Sequence, residues 1–143
     1  MARKAEGGRP LPFKITMHKV LMIEDEEDLV RFFEEAFQNF KQIQFFSSLR
    51  AREGLEIAKR EKPQVIILDL RMPGLSGEEA LKQLKVLLPE TKFVIVTAWN
   101  DGITRDRIEH QIGVDAYFEK PVDLEEVVGK IMELLMVKRS REK

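Results

Sequence analysis

Five short apolar runs, near residues 20, 43, 65, 93 and 115, alternate along the chain with segments whose apolar residues recur at helical spacing. The runs are rich in Val, Ile and Phe, and several show no polar alternation, which suits parallel strands covered on both faces. After Asp28 the residues Leu29, Phe32, Phe33, Ala36, Phe37 and Phe40 form one broad apolar stripe, predicting a first covering helix. Ser47 or Ser48 can cap a second helix that runs through Leu55 and Ala58 to Lys62, with Pro63 at its exit and Gly54 weakening its middle. Ser76 and Glu79 have the spacing of a capping box, and Leu81, Leu84 and Leu88 carry a third helix to Pro89. Asp123 opens a fifth helix with Leu124, Val127, Val128, Ile131, Leu134 and Leu135 inward. The fourth, from Ile103 to Ile112, has only Ile103, Ile108 and Ile112 to bury and is expected to be the least firmly held. Strand and helix in strict alternation imply right-handed crossovers and an α/β doubly wound parallel sheet of five strands with five helices.

A chain of 143 residues with 43% hydrophobic and 34% charged residues fits a single domain with its own core. A net charge of -1, from 24 basic and 25 acidic residues, lacks the electrostatic footprint of nucleic-acid binding. The absence of cysteine removes disulfides, thiolate metal sites and thiol nucleophiles from consideration. With no apolar stretch long enough for a bilayer span and no secretory signal pattern, no membrane association is expected and cytoplasmic residence is the default. Residues 1–16, with Gly7, Gly8, Pro10 and Pro12, are expected to form a disordered tail, residues 17–138 the domain, and residues 139–143 a second tail.

The chemistry gathers at strand ends. Glu24 and Asp25 follow the first run, Asp69 the third, Thr97 the fourth and Lys120 the fifth. In an open α/β sheet, ligands bind beyond the carboxyl ends of the strands. Three carboxylates brought together there repel one another unless a divalent cation or a lysine compensates, and Lys120 supplies one positive charge. Arg71 and Trp99 lie one or two residues past the site strands and can line its mouth. His18 and His110 stand apart and read as surface or packing residues.

From Lys19 to about Val137 the chain resembles the receiver domain of two-component response regulators. The resemblance rests on the runs V-L-M-I-E-D-E-E-D-L, V-I-I-L-D-L-R-M-P-G-L-S-G, F-V-I-V-T-A-W and A-Y-F-E-K-P-V-D. It implies a flavodoxin-like fold of strand order 2-1-3-4-5, and a signalling rather than a turnover role. By the same resemblance Asp69 is the phosphoacceptor, served by a sensor histidine kinase. Glu24, Asp25, Asp69 and the backbone carbonyl of Arg71 would hold Mg2+, with Glu24 a longer variant of the commoner Asp. Thr97 and Tyr117 are the switch pair, Lys120 the lysine that meets the phosphoryl group, and Lys120-Pro121 a cis peptide. Movement of Thr97 is expected to vacate space into which Tyr117 turns. The fourth helix, fifth strand and fifth helix would form the output face.

The residues speak against two rival chemistries. An aspartyl-nucleophile phosphatase of the haloacid dehalogenase type wants an acid two residues after its nucleophile, where this chain has Arg71. A nucleotide-binding fold needs glycines after the first strand, where Glu24-Asp25-Glu26-Glu27 would repel phosphates. A receiver fold that binds proteins without phosphorylation is the remaining alternative. Because no output domain follows the fifth helix in this sequence, output is expected to pass through a downstream protein target or a phosphotransfer protein, with a phosphorylation-linked homodimer a further possibility.

Overall fold

The computed structural model describes residues 17–74, 76–99 and 101–136; the two tail expectations lie outside these. Its strands are β1 (His18–Ile23), β2 (Ile43–Ser48), β3 (Val65–Leu68), β4 (Lys92–Thr97) and β5 (Ala116–Glu119). They form one parallel sheet of order β2-β1-β3-β4-β5, as expected. The helices are α1 (Glu27–Phe37), α2 (Ala51–Glu61), α3 (Gly77–Leu87), α4 (Gly102–Asp106) and α5 (Leu124–Met136).

Side-chain alternation along the central strands divides the core into two layers. Leu21, Ile23, Ile66, Leu68, Phe93 and Ile95 face α2 and α3, while Val20, Met22, Val65, Ile67, Val94 and Val96 face α1 and α5. Nearly all are fully buried, each contributing on the order of 1.5–3 kcal/mol, which makes this sheet a stiff platform for whatever its rim carries.

Three local expectations need correction, and Gly54 gains a packing reason beside its cost to the middle of α2. The α1 stripe is not uniformly inward: Val30, Phe33 and Phe37 enter the core, whereas Phe32 is 54% exposed. The helix turns 100° per residue, so a stripe this wide has one edge on the sheet and the other beside α5. The N-cap of α2 is Arg50 without a side-chain cap; Ser48 instead accepts from the Arg50 amide and donates to its carbonyl, ordering the turn before the helix. Gly54 is a site of close approach, since a Cβ there would lie 2.7 Å from Ile23 Cδ1. Finally, α4 continues directly into a π-helical segment (Arg107–Gly113), with Ile108 buried but Ile103 76% exposed.

Polar contacts supply what α4 lacks in apolar burial. Asp101 caps it by accepting from Ile103 N, and Arg107 forms a two-bond pair with Glu78 of α3 at 2.9 Å in both contacts. Lys85 Nζ donates to the Gly113 carbonyl, closing the far end of the π-helical segment. Among the described residues no helix is long and apolar enough to cross a membrane.

Candidate functional site

Backbone pairing carries the sheet one residue further into the site. Glu24 N donates to Ser48 O, Asp69 N to Ile23 O and Lys120 N to Thr97 O, at 3.0, 3.1 and 2.8 Å. Since Ile23 is in register with Leu68, and Thr97 with Glu119, the ladder places Glu24 beside Asp69 and holds Lys120 beside Thr97. The Lys120-Pro121 peptide is cis, as the resemblance implied.

Side chains converge from these anchored positions. Lys120 Nζ lies 3.1 Å from Asp69 Oδ2, 3.0 Å from Glu24 Oε2 and 2.6 Å from Glu26 Oε1. Asp69 Oδ1 accepts from the amide of Arg71 at 3.0 Å, fixing the carboxyl orientation from the opposite side. Asp69 and Lys120 open onto a cleft of about 690 Å³, which Asp25, Arg71, Leu29 and Phe32 also line.

The acids suit a hard divalent cation. Glu24, Asp25 and Asp69 each offer a carboxylate oxygen within 4.8 Å of the others'. Glu24 is 1% exposed, and its Oε1 is buried with no hydrogen-bond partner among the described residues. A buried orphan acceptor is costly, and an oxygen-seeking ion satisfies it. Burial first, and the Asp69 charge second, push the Glu24 carboxyl up from 4.5 to about 7. Burial opposes the charge on Lys120, but its hydrogen bonds to Glu26 and Glu24 outweigh that and raise its pKa.

Thr97 is fully buried at the end of β4, its Oγ1 accepting from Trp99 N at 3.3 Å. Tyr117 is buried too: its hydroxyl donates to the Trp99 carbonyl at 3.1 Å, and the Arg105 guanidinium lies 4.7 Å from its ring centroid. The Tyr117 ring thus lies inward in this conformation. Arg71 sits 5.2 Å from the Trp99 ring centroid, so the two residues assigned to the mouth stack on each other. His18 begins β1 and His110 pairs with Asp106, so neither joins the acids.

Sequence reasoning overlooked Glu26. It occupies the N-cap position of α1, where short side chains such as Ser or Asp cap the helix amides; the longer Glu26 makes no such cap and reaches Lys120. The available signal was its place two residues after Glu24, on the same rim.

The response regulator receiver domain model matches residues 20–132. The chain belongs to this family. This receiver is 29% identical over 122 residues to sporulation initiation phosphotransferase F of Bacillus subtilis, covering 84% of this chain and 95% of that protein. It is 32% identical over 120 residues to response regulator ArlR of Staphylococcus saprophyticus, covering 83% of this chain but only 53% of ArlR. A CheY-like receiver domain of Methanospirillum hungatei shares its fold, with a TM-score of 0.76 at 24% identity over 84% of this chain and 94% of that one. Receivers of this kind are signalling domains of two-component response regulators that engage histidine kinases and phosphotransfer partners.

Proposed function

We propose that Asp69 is the phosphoacceptor of this receiver and that its phosphorylation by a sensor histidine kinase is read by a protein partner. The observation that carries the proposal is the position of the Asp69 carboxylate: sheet-anchored, open to a cleft, and held between the Arg71 amide and the Lys120 ammonium. In the transfer, an Asp69 oxygen forms a bond to phosphorus as the bond from phosphorus to the donor histidine nitrogen breaks, and the electron pair leaves with the imidazole. Such transfers depend chiefly on positioning and on offsetting charge at the equatorial oxygens.

Glu24, Asp25, Asp69 and the Arg71 carbonyl would hold Mg2+, which when bound supplies the positive charge that offsets the phosphoryl oxygens. Lys120 donates to a phosphoryl oxygen, a charge-assisted bond stronger than its neutral counterpart. The Thr97 hydroxyl can donate to another while still accepting from Trp99 N, because a hydroxyl has both capacities. Trp99 also accepts from Tyr117, so a shift at Thr97 reaches Tyr117 and, through Arg105, the ion pairs to Glu109 and Glu119. Phosphorylation then acts by tightening an inward ring rather than by turning it, and the output face comprises α4, β5 and α5. Cytoplasmic residence, a downstream target or phosphotransfer protein, and a phosphorylation-linked homodimer belong to the same reading.

Incubation with a phosphorylated histidine kinase and Mg2+ tests it. Label is expected on the wild type and not on Asp69→Asn; equal labelling of both, or of neither, overturns the proposal.

A further inference from the structure

An ammonium group has three N–H donors. Lys120 has a carboxylate for each of them: Glu24 at 3.0 Å, Asp69 at 3.1 Å and Glu26 at 2.6 Å. Modification of Asp69 consumes its own carboxylate and takes it out of the contest, so a phosphoryl group that draws the ammonium onto its several oxygens draws it away from Glu24 and Glu26. These two differ in what release would cost. Glu24 is buried, so a carboxylate abandoned there loses its partner without gaining water. The Glu26 side chain is 60% exposed, and water takes over its oxygens at little cost.

We infer that Glu26 is a competitor of the phosphoryl group for Lys120, a positioning residue that occupies the lysine in the resting receiver and is displaced when Asp69 is modified. The inference rests on the proposed role of Asp69 and Lys120. It gives the shortest of the three Lys120 contacts a consequence: the lysine is parked toward the cleft wall, and affinity for a phosphoryl group is lowered by the contact it must break. Glu26 also alters the charge balance. Four carboxylates and one lysine leave the cluster at about -3 when all are ionised, one unit more negative than Glu24, Asp25, Asp69 and Lys120 alone.

Beryllofluoride, formed from beryllium chloride and fluoride at saturating Mg2+, probes this with Trp99 fluorescence as the readout. Glu26→Gln is expected to bind about threefold more tightly than wild type, the scale of an exposed ion pair. Glu26→Asp keeps the charge but shortens the side chain by one methylene, so it loses the contact and is also expected to bind more tightly. Mg2+ titrations without beryllium separate any change in metal affinity. Unchanged affinity in Glu26→Gln, or tightening in Glu26→Gln with none in Glu26→Asp, overturns the inference: the second result would assign the effect to overall charge. Wild type that binds no better than Asp69→Asn overturns the proposed function as well, whereas normal wild-type binding with indifferent Glu26 variants sinks this inference alone.

Discussion

Glu24→Gln is expected to stabilise the protein in the absence of divalent cations while weakening its response to them. The carboxyl of Glu24 is pushed from 4.5 to about 7 by burial and then by the Asp69 charge. At about 1.4 kcal/mol per pKa unit, the penalty on its ionised form is roughly 3 kcal/mol. Water entering the cleft and small shifts of Lys120 reduce it to an expected ~1–2 kcal/mol. Because the folded value lies above the unfolded one, the contribution of Glu24 is present in full below 4.5 and lost as pH rises through about 7. Glutamine resembles the protonated form at every pH: its oxygen can accept from Glu26 N and Lys120 Nζ, as Glu24 Oε2 does. Thermal unfolding in chelator at pH 8 is thus expected to give Glu24→Gln a midpoint higher by ~3–8 °C, shrinking toward zero at pH 4.5 and below. Saturating Mg2+ at pH 8 is expected to raise wild type more than the variant, since an ion held by the acids would bind only the folded state and would satisfy the orphan Oε1. A lower midpoint for Glu24→Gln in chelator at pH 8, or a difference independent of pH, would refute the reasoning.

Two glycines offer opposite outcomes for the same substitution. Gly77→Ala would drive a Cβ into Leu70 Cα, backbone that cannot swing aside, and a loss of ~2–3 kcal/mol in urea unfolding is expected. Gly129→Ala in α5 meets nothing within 4 Å and should gain ~0.5–1 kcal/mol from helix propensity; equal midpoints for the two would contradict both statements. Tyr117→Phe removes the bond to the Trp99 carbonyl while keeping the ring, so a loss of ~0.5–1.5 kcal/mol is expected by the same method. An unchanged midpoint would show that the hydroxyl contributes nothing to holding the ring inward.

Most of the rim was legible because its residues lie at or just past the end of an apolar run. Asp69 after Val65–Leu68 and Lys120 after Ala116–Glu119 need only the strand pattern and the rule that ligands gather at strand ends. Phe32 was misread because periodicity reports that a residue lies on an apolar face, not which neighbour that face meets. Ile103 and the π-helical register escaped for a related reason: one extra residue per turn leaves no trace in a segment with three widely spaced isoleucines. Glu26 was hidden by its surroundings, since in an acidic run at a helix start every member reads as a favourable charge near the macrodipole. Only the fold shows which one lies within reach of a lysine 94 positions away.

What the fold adds to those residues is a shared element between chemistry and surface. Trp99 donates its amide to Thr97, accepts the Tyr117 hydroxyl at its carbonyl and stacks its ring on Arg71. A displacement of one of these partners is therefore felt by the other two through a single residue just beyond β4. The segment that receives it is held differently from the rest of the molecule. Of its described residues only Thr104 and Ile108 are buried, and Arg105 and Arg107 tie it to Glu119 of β5 and Glu78 of α3 by partly exposed ion pairs. Such pairs contribute little each and exchange partners readily, whereas the central strands are locked by close packing. The site thus combines a rim that must not move, because it aims a carboxylate, with a neighbouring segment that can move at small cost.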